Sequence, residues 1–392
     1  MRKCLLKDVC LDFIVPQRDK PKVFDGDIPW CRIEDIEGRY LNGSKSGRKV
    51  SKEIADRMNM HLCPKGSVIC ACSASIGNQA ITTVDCYTNQ TFIGIVPNPE
   101  LLDNVYLYYF FAAQAEVLKG MGQGATIKYI SQDKFKSMPI PVPSLPEQQR
   151  IVDILDKEFA KIDALKVNAE KSLQAAKDLF QATTDTMLGN EKWRELTVGE
   201  IAKIKGGKRV PKGYKLEKEP TAHRYIRVAD FTDQGTIRPE SVLYISDEVF
   251  KTIKAYTITS KDVYISIAGT IGKSGIIPDA LDGANLTENA CKLVLGPDYY
   301  NRFVFFATKT SSFKKQVETL TMQAAQPKLA LTRLATIRVR VPSSIQEQET
   351  VVARLDGIAD TISLLQDNCQ RTLTLCDDLK QSLLRKAFNG EL

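Results

Sequence analysis

Residues 144–187 form a single helical run, and the rest of the chain is arranged around it. The run opens on Pro143, Ser144 and Pro146, which suit a helix start, and Glu147 puts negative charge in the first turn, where the helix dipole favours it. Apolar residues then recur in steps of three and four: Ile151, Ile154 or Leu155, Ile162, Leu165, Ala169, Leu173, Ala176, and Leu179 or Phe180. Beyond Pro146, no Gly or Pro interrupts the run until Gly189. A helix of about 40 residues is about 60 Å long at ~1.5 Å per residue. No ordinary globular core covers such a length, so the apolar stripe calls for a second long helix.

Residues 342–388 supply that second helix. Val352, Leu355, Ile362, Leu365 and Leu379 align with Val152, Leu155, Ile162, Leu165 and Leu179 at a constant offset of 200. The expected seam joins Ile154, Ile162, Leu165 and Leu173 to Leu355, Ile362, Leu365 and Leu379 in an antiparallel coiled coil. A repeat of half the chain length is far too long for a solenoid. It describes one globular domain plus one helix, present twice.

The regions before each helix repeat as well. Residues 1–143 alternate short β-type runs (DIPWCRI, GSVICACS, QAITTV, TFIGIV) with Gly- and Pro-marked turns, followed by a helical patch at 105–121. Residues 191–342 follow the same recipe. At an offset of 195, Arg32 and Asp35 match Arg227 and Asp230, Val68 matches Val263, and Ile76-Gly77 matches Ile271-Gly272. The expected architecture is α+β with a pseudo-twofold internal repeat: a mixed domain over 1–143, a helix over 144–190, a second mixed domain over 191–342 and a second helix over 343–392. The frames agree between the halves, and the surface residues do not.

The 54 basic and 47 acidic residues give a net charge of +7, a mild lean towards polyanions. Clustering says more. Lys45, Arg48, Lys49 and Lys52 fall in NGSKSGRKVSK, and Lys203, Lys205, Lys208, Arg209, Lys212 and Lys215 fall in KIKGGKRVPKGYK. Loops that mix Gly with Lys and Arg lay amides and cations against phosphates. The ten cysteines form no CxxC pair and there are two histidines, so no metal site is expected and the thiols read as free in a reducing compartment. No apolar run is long enough to span a membrane, and the N-terminal stretch carries Asp8 and Asp12 and no small-residue cleavage site, so a cytoplasmic location is expected.

Chemistry of its own is not marked in this chain. Pro97-Asn98-Pro99-Glu100 is not an adenine-methyltransferase motif. Gly269 to Gly275 lacks the glycine spacing of a phosphate loop, and Ile271-Gly272 reads as a turn with glycine in a left-handed conformation.

Four strings carry a family resemblance: PVPSLPEQQRIVDILD at 141–156, VPSSIQEQETVVARLD at 341–356, WRELTVGEIAKIKGG at 193–207 and LLRKAFNGEL at 383–392. In this order and twofold recurrence, the whole chain resembles the specificity subunit of type I restriction–modification systems. The first domain departs by lacking the Trp–Leu opening seen at 193–196, which reads as a trimmed or divergent start. The resemblance implies two target recognition domains, each reading half of a bipartite, asymmetric double-stranded DNA site, with the paired helices setting the spacer. It implies two methylation subunits docked on the exposed sides of the helices around Gln148 and Gln348, joined by restriction motor-nuclease subunits. No cofactor is expected on this chain; S-adenosylmethionine, ATP and Mg belong to the partners. Candidate DNA-contacting residues, chosen as hydrogen-bonding side chains in loops, are Lys45, Arg48, Lys49, Gln123, Lys128, Lys208, Arg209, Lys212, Lys273, Gln326 and Lys328. The competing reading is a non-catalytic coiled-coil scaffold or adaptor without sequence-specific DNA binding.

Overall fold

The computed structural model describes residues 3–122, 129–321 and 328–392. The chain divides into two compact units: Met1–Ala169 with Gln370–Leu392, and Glu170–Cys369. The two long helices, Leu145–Leu188 and Ile345–Asn389, each contribute one half to each unit.

In the first unit, Phe92–Pro97 is flanked on both sides by antiparallel partners, Cys10–Ile14 and Val68–Ala71. Val68–Ala71 pairs in turn with Gln79–Thr82. A second, smaller sheet places Ile28–Cys31 between Lys49–Val50 (antiparallel) and Tyr87–Thr88 (parallel). The second unit repeats both arrangements. Ala290–Leu295 lies between Ala202–Gly206 and Val263–Ser266, which pairs with Ser274–Gly275. His223–Ile226 lies between Leu243–Ile245 (antiparallel) and Asn285–Leu286 (parallel). These four strands of the main sheet and three of the small sheet recur in the same order in both units, which bears out the duplicated α+β reading; in the first unit alone the main sheet continues beyond Gln79–Thr82 to Tyr40–Leu41 and Ile36–Glu37. Gly77 and Gly272, the matched turn glycines, have φ of 99° and 85°, a region that disfavours any side chain.

The start that lacks the Trp–Leu opening still forms the matching strand. Lys3–Leu5 pairs with Pro139–Pro141, as Arg194–Thr197 pairs with Arg338–Val341. Leu6 and Val9 are buried behind it, as Val198 and Ile201 are in the second unit. The departure is one of sequence, and the backbone role is kept.

Each unit holds its helix halves against its own core. In the first, Ile151, Val152 and Leu155 share a cluster with Leu384, Ala387 and Phe388, and the Phe388 ring meets Tyr106 and Phe110 at 5.0 and 5.6 Å. Lys166 pairs with Asp377 and Lys380 with Asp163, so one helix rises in number as the other falls: the pairing is antiparallel. In the second unit, Phe180, Met187, Leu188, Val352 and Leu355 join the core around Phe303 and Phe306.

The buried residues Leu155, Ile162, Ala169 and Ala176 recur at seven-residue spacing, and Leu355, Ile362, Cys369 and Cys376 repeat them 200 positions later. This is a heptad seam. The expected seam residues divide on it. Ile162, Leu355 and Ile362 are buried, and Ile154 and Leu173 are half-buried. Leu165, Leu365 and Leu379 do not belong to the seam: they are 52%, 40% and 48% exposed. The next residue in each case, Lys166, Gln366 and Lys380, takes the inward position and is less exposed. A lysine fills a seam with its aliphatic stem when its ammonium finds a carboxylate at the edge, and Asp377 and Asp163 are those carboxylates.

Candidate nucleic-acid interface

One buried glutamine anchors each domain to the start of its helix. Gln148 accepts from the Asp103 amide at 2.8 Å and donates to the carbonyls of Leu101 and Pro143 at 2.8 and 2.9 Å. Gln348 accepts from the Tyr300 amide at 2.9 Å and donates to the carbonyls of Asp298 and Pro342. These residues were expected on the exposed, partner-docking side. They are buried, because the loops at 101–103 and 298–300 fold over them and saturate both ends of each amide. Two turns further on, Asp156 binds Arg39 and the Tyr109 hydroxyl, and Asp356 binds Arg302 at 2.6 to 3.1 Å. Burial alone would raise the Asp156 carboxyl, but Arg39 and Tyr109 outweigh it and hold it below the usual range.

Sequence reasoning missed these clamps, although the aligned Gln and Asp at the 200-residue offset were a visible signal.

The basic loops border the smaller sheet of each unit. In the first, Lys45 and Lys49 are exposed and Arg48 is half-buried. The Lys45 amide donates to buried Asp35 at 2.8 Å, and its ammonium lies 3.5 Å from Glu37. The Arg48 guanidinium sits 5.4 Å from the Phe24 ring. In the second unit, Lys208, Arg209 and Lys212 are exposed. Lys208 stands 5.7 Å from the Tyr256 ring, and Arg209 is paired with Glu288. Lys328 is exposed and its backbone bridges Ala268. Lys273 differs from the rest: its ammonium donates to the Phe231 carbonyl at 2.8 Å and pairs with Asp233 at 2.9 Å, which ties it to the fold. Gln123, Lys128 and Gln326 lie outside the described residues.

All ten cysteines are free, eight of them buried; burial pushes the Cys72 thiol up to about 11 and leaves it protonated. Among the described residues, no group of His, Cys, Asp and Glu is arranged to hold a metal ion, and no helix is long and apolar enough to cross a membrane.

The comparisons agree with this architecture. The chain is 22% identical over 399 residues to the specificity subunit of the type I restriction enzyme MjaIX of Methanocaldococcus jannaschii, covering 96% of this chain and 89% of that protein. It is 24% identical over 391 residues to the EcoprrI specificity subunit of Escherichia coli, covering 95% and 89%. Among solved structures, a chain described under complex assembly and conformational transition of the type I R-M system superposes with a TM-score of 0.80 at 17% identity, covering 100% of this chain and 98% of that one. The HsdS subunit from Thermoanaerobacter tengcongensis superposes with a TM-score of 0.56 at 17% identity, covering 100% and 97%. The scaffold reading without DNA specificity is not favoured by these relatives. The family model for the type I restriction modification DNA specificity domain matches residues 6–175 and again 190–373, and the chain therefore belongs to that family.

Proposed function

We propose that this chain is the target-recognition component of a cytoplasmic type I restriction–modification complex. Each unit reads one half of a bipartite double-stranded DNA target, and the paired helices set the spacer. The observation that carries this reading is a shared frame with unshared surface chemistry. Both units share a four-strand core order, a three-stranded small sheet and the same glutamine clamp, whereas their small sheets present different side chains. A protein built to read two unlike half-sites needs that combination.

The chain contributes recognition and no bond-making chemistry. Two methylation subunits supply S-adenosylmethionine and modify adenine. Restriction subunits, with ATP and Mg, add translocation and cleavage. Two equivalent docking surfaces suit two copies of one methylation partner. Leu165 and Leu365, and likewise Leu179 and Leu379, are exposed at matched positions of the two helices, and we take these helix faces as the docking surfaces.

The test is methylome sequencing of the host with and without this chain. One bipartite methyl-adenine motif should disappear on deletion. Persistence of every motif would overturn the reading.

A further inference from the structure

We propose that Arg32 and Arg48 of the first unit read guanine edges in that unit's DNA half-site from an aromatic-backed notch, whereas in the second unit the matched arginine, Arg227, is tied to Asp230 and a leucine stands where Arg48 does. This rests on the recognition role proposed above and goes on to name the residues and the base.

The notch follows from the small sheet. Ile28 stands opposite Val50 and Pro29 opposite Lys49, and the Trp30 amide donates to the Arg48 carbonyl at 2.9 Å. Arg48 therefore lies beside Trp30. The chain stays extended at Arg32 (φ −132°, ψ 177°), so alternation returns Arg32 to the Trp30 face. The Phe24 ring packs 5.3 Å from Trp30. Around the two rings stand Arg48, 5.4 Å from Phe24, Arg32, 6.0 Å from Trp30, and Lys20, 5.8 and 6.0 Å from each ring. Arg32 Nε and Arg48 Nη1 are buried with no hydrogen-bond partner among the described residues. Buried donors are normally paired, so neither guanidinium is fully committed to the fold, and both side chains are only half-buried, which leaves the arginine forks able to turn to an acceptor presented at the surface.

The second unit explains why these arginines are available. Its matched arginine, Arg227, is locked on Asp230 through its amide at 2.7 Å, Nε at 3.2 Å and Nη2 at 2.7 Å. In the first unit the same carboxylate, Asp35, accepts the amides of Arg32 and Lys45, at 2.7 and 2.8 Å. The Lys45 amide takes the oxygen that would hold the guanidinium, and the Arg32 side chain turns to exposed Glu34. Where Arg48 faces Trp30, the second unit has Leu243 facing Tyr225. Guanine offers O6 and N7 as two acceptors in the major groove, which matches the planar arginine fork, and an aromatic backing holds that fork in place.

The experiment uses the chain assembled with its methylation partners on a site library randomised in both half-sites. Variants are R32K, R48K and, as a control, R227K. Lysine keeps the charge and loses the fork. R32K and R48K should each lose roughly 5- to 150-fold of the preference for guanine at one position of one half-site, with the other half-site unchanged. R227K should alter neither preference. An unchanged preference in both notch variants overturns the proposal. So does uniform weakening on all sequences with R48K, the signature of a phosphate contact. Should R32K lose both half-sites through misfolding, R48K decides alone. A wild-type complex without any sequence preference would instead overturn the recognition role itself.

Discussion

Replacing Gln148 by alanine should destabilise the first unit by about 3 kcal/mol, at ~1 kcal/mol for each of three hydrogen bonds. Its side chain is fully buried, and it satisfies one backbone amide and two backbone carbonyls. Left unpaired in a dry site, those three groups would cost up to ~3 kcal/mol each, but loop relaxation and entering water recover much of that. The consequence runs beyond the loop. Asp103, whose amide Gln148 accepts, caps the helix Asn104–Ala113 by accepting from the Val105 and Tyr106 amides at 2.9 and 2.8 Å. That helix carries Tyr106, Phe110 and Phe111 into the core. At ~2–4 °C per kcal/mol for a unit of this size, the first transition should fall by about 6–12 °C. Neighbouring Gln149 is exposed and bonds only Asp153 among the described residues, so Gln149→Ala should stay within ~0.5 kcal/mol of wild type. The assay is urea unfolding followed by hydrogen exchange at the Asp103 amide. A Gln148→Ala protein within ~0.5 kcal/mol of wild type, or an Asp103 amide exchanging at an unchanged rate, would refute the clamp.

The other predictions are tested on the same protein. Ile162→Asp puts a charge into the buried seam and should cost roughly 3–5 kcal/mol, whereas Leu165→Asp, on the exposed face, should cost less than ~1 kcal/mol; equal losses in thermal unfolding would place the seam elsewhere. Burial, assisted by the charges of Lys314 and Lys273, lowers the Lys309 ammonium to about 8. The folded state thus binds this proton less tightly than the unfolded chain, so the second unit should gain stability as pH rises from about 8 towards the ordinary lysine range; Lys309→Met should abolish that rise, and an unchanged pH slope would contradict it. Exchanging residues 191–341 for the equivalent domain of a relative should change one half-site of the methylated motif and leave the other; a change in both would indicate one composite reading surface.

How much of this was legible in the sequence depended on the range of the interactions. The two helices announced themselves because their period is local and their 200-residue offset is constant. Their seam was misread at Leu165, Leu365 and Leu379, because hydropathy prefers leucine to the lysine or glutamine that follows. The inward place of Lys166 is decided by Asp377, more than two hundred residues away, and no local pattern carries that information. The strands are two to six residues long and their neighbours are distant: Cys10–Ile14 lies against Phe92–Pro97. Alternation shows that such a strand exists and does not reveal what it pairs with. Gln148 was placed on the surface for the same reason, since a polar residue in a first helical turn is normally exposed until a loop from elsewhere covers it.

The same distinction separates what the two units share from what they do not. The glutamine clamps bind backbone amides and carbonyls, which are present whatever side chains the covering loops carry. A clamp of that kind survives almost complete replacement of the loop sequence. Side-chain clamps are less constrained in origin: Asp156 takes its arginine from Arg39, beside the edge of the main sheet, and Asp356 takes Arg302 from the helix Asn301–Lys309. The reading positions carry no such requirement. Trp30 beside Arg48 in one unit and Tyr225 beside Leu243 in the other occupy the same backbone sites, and the aromatic is kept while its neighbour changes from a cation to an apolar side chain. A scaffold held by backbone groups and by interchangeable ion pairs leaves the small-sheet surface free to vary, and that freedom lets one fold carry two different DNA specificities.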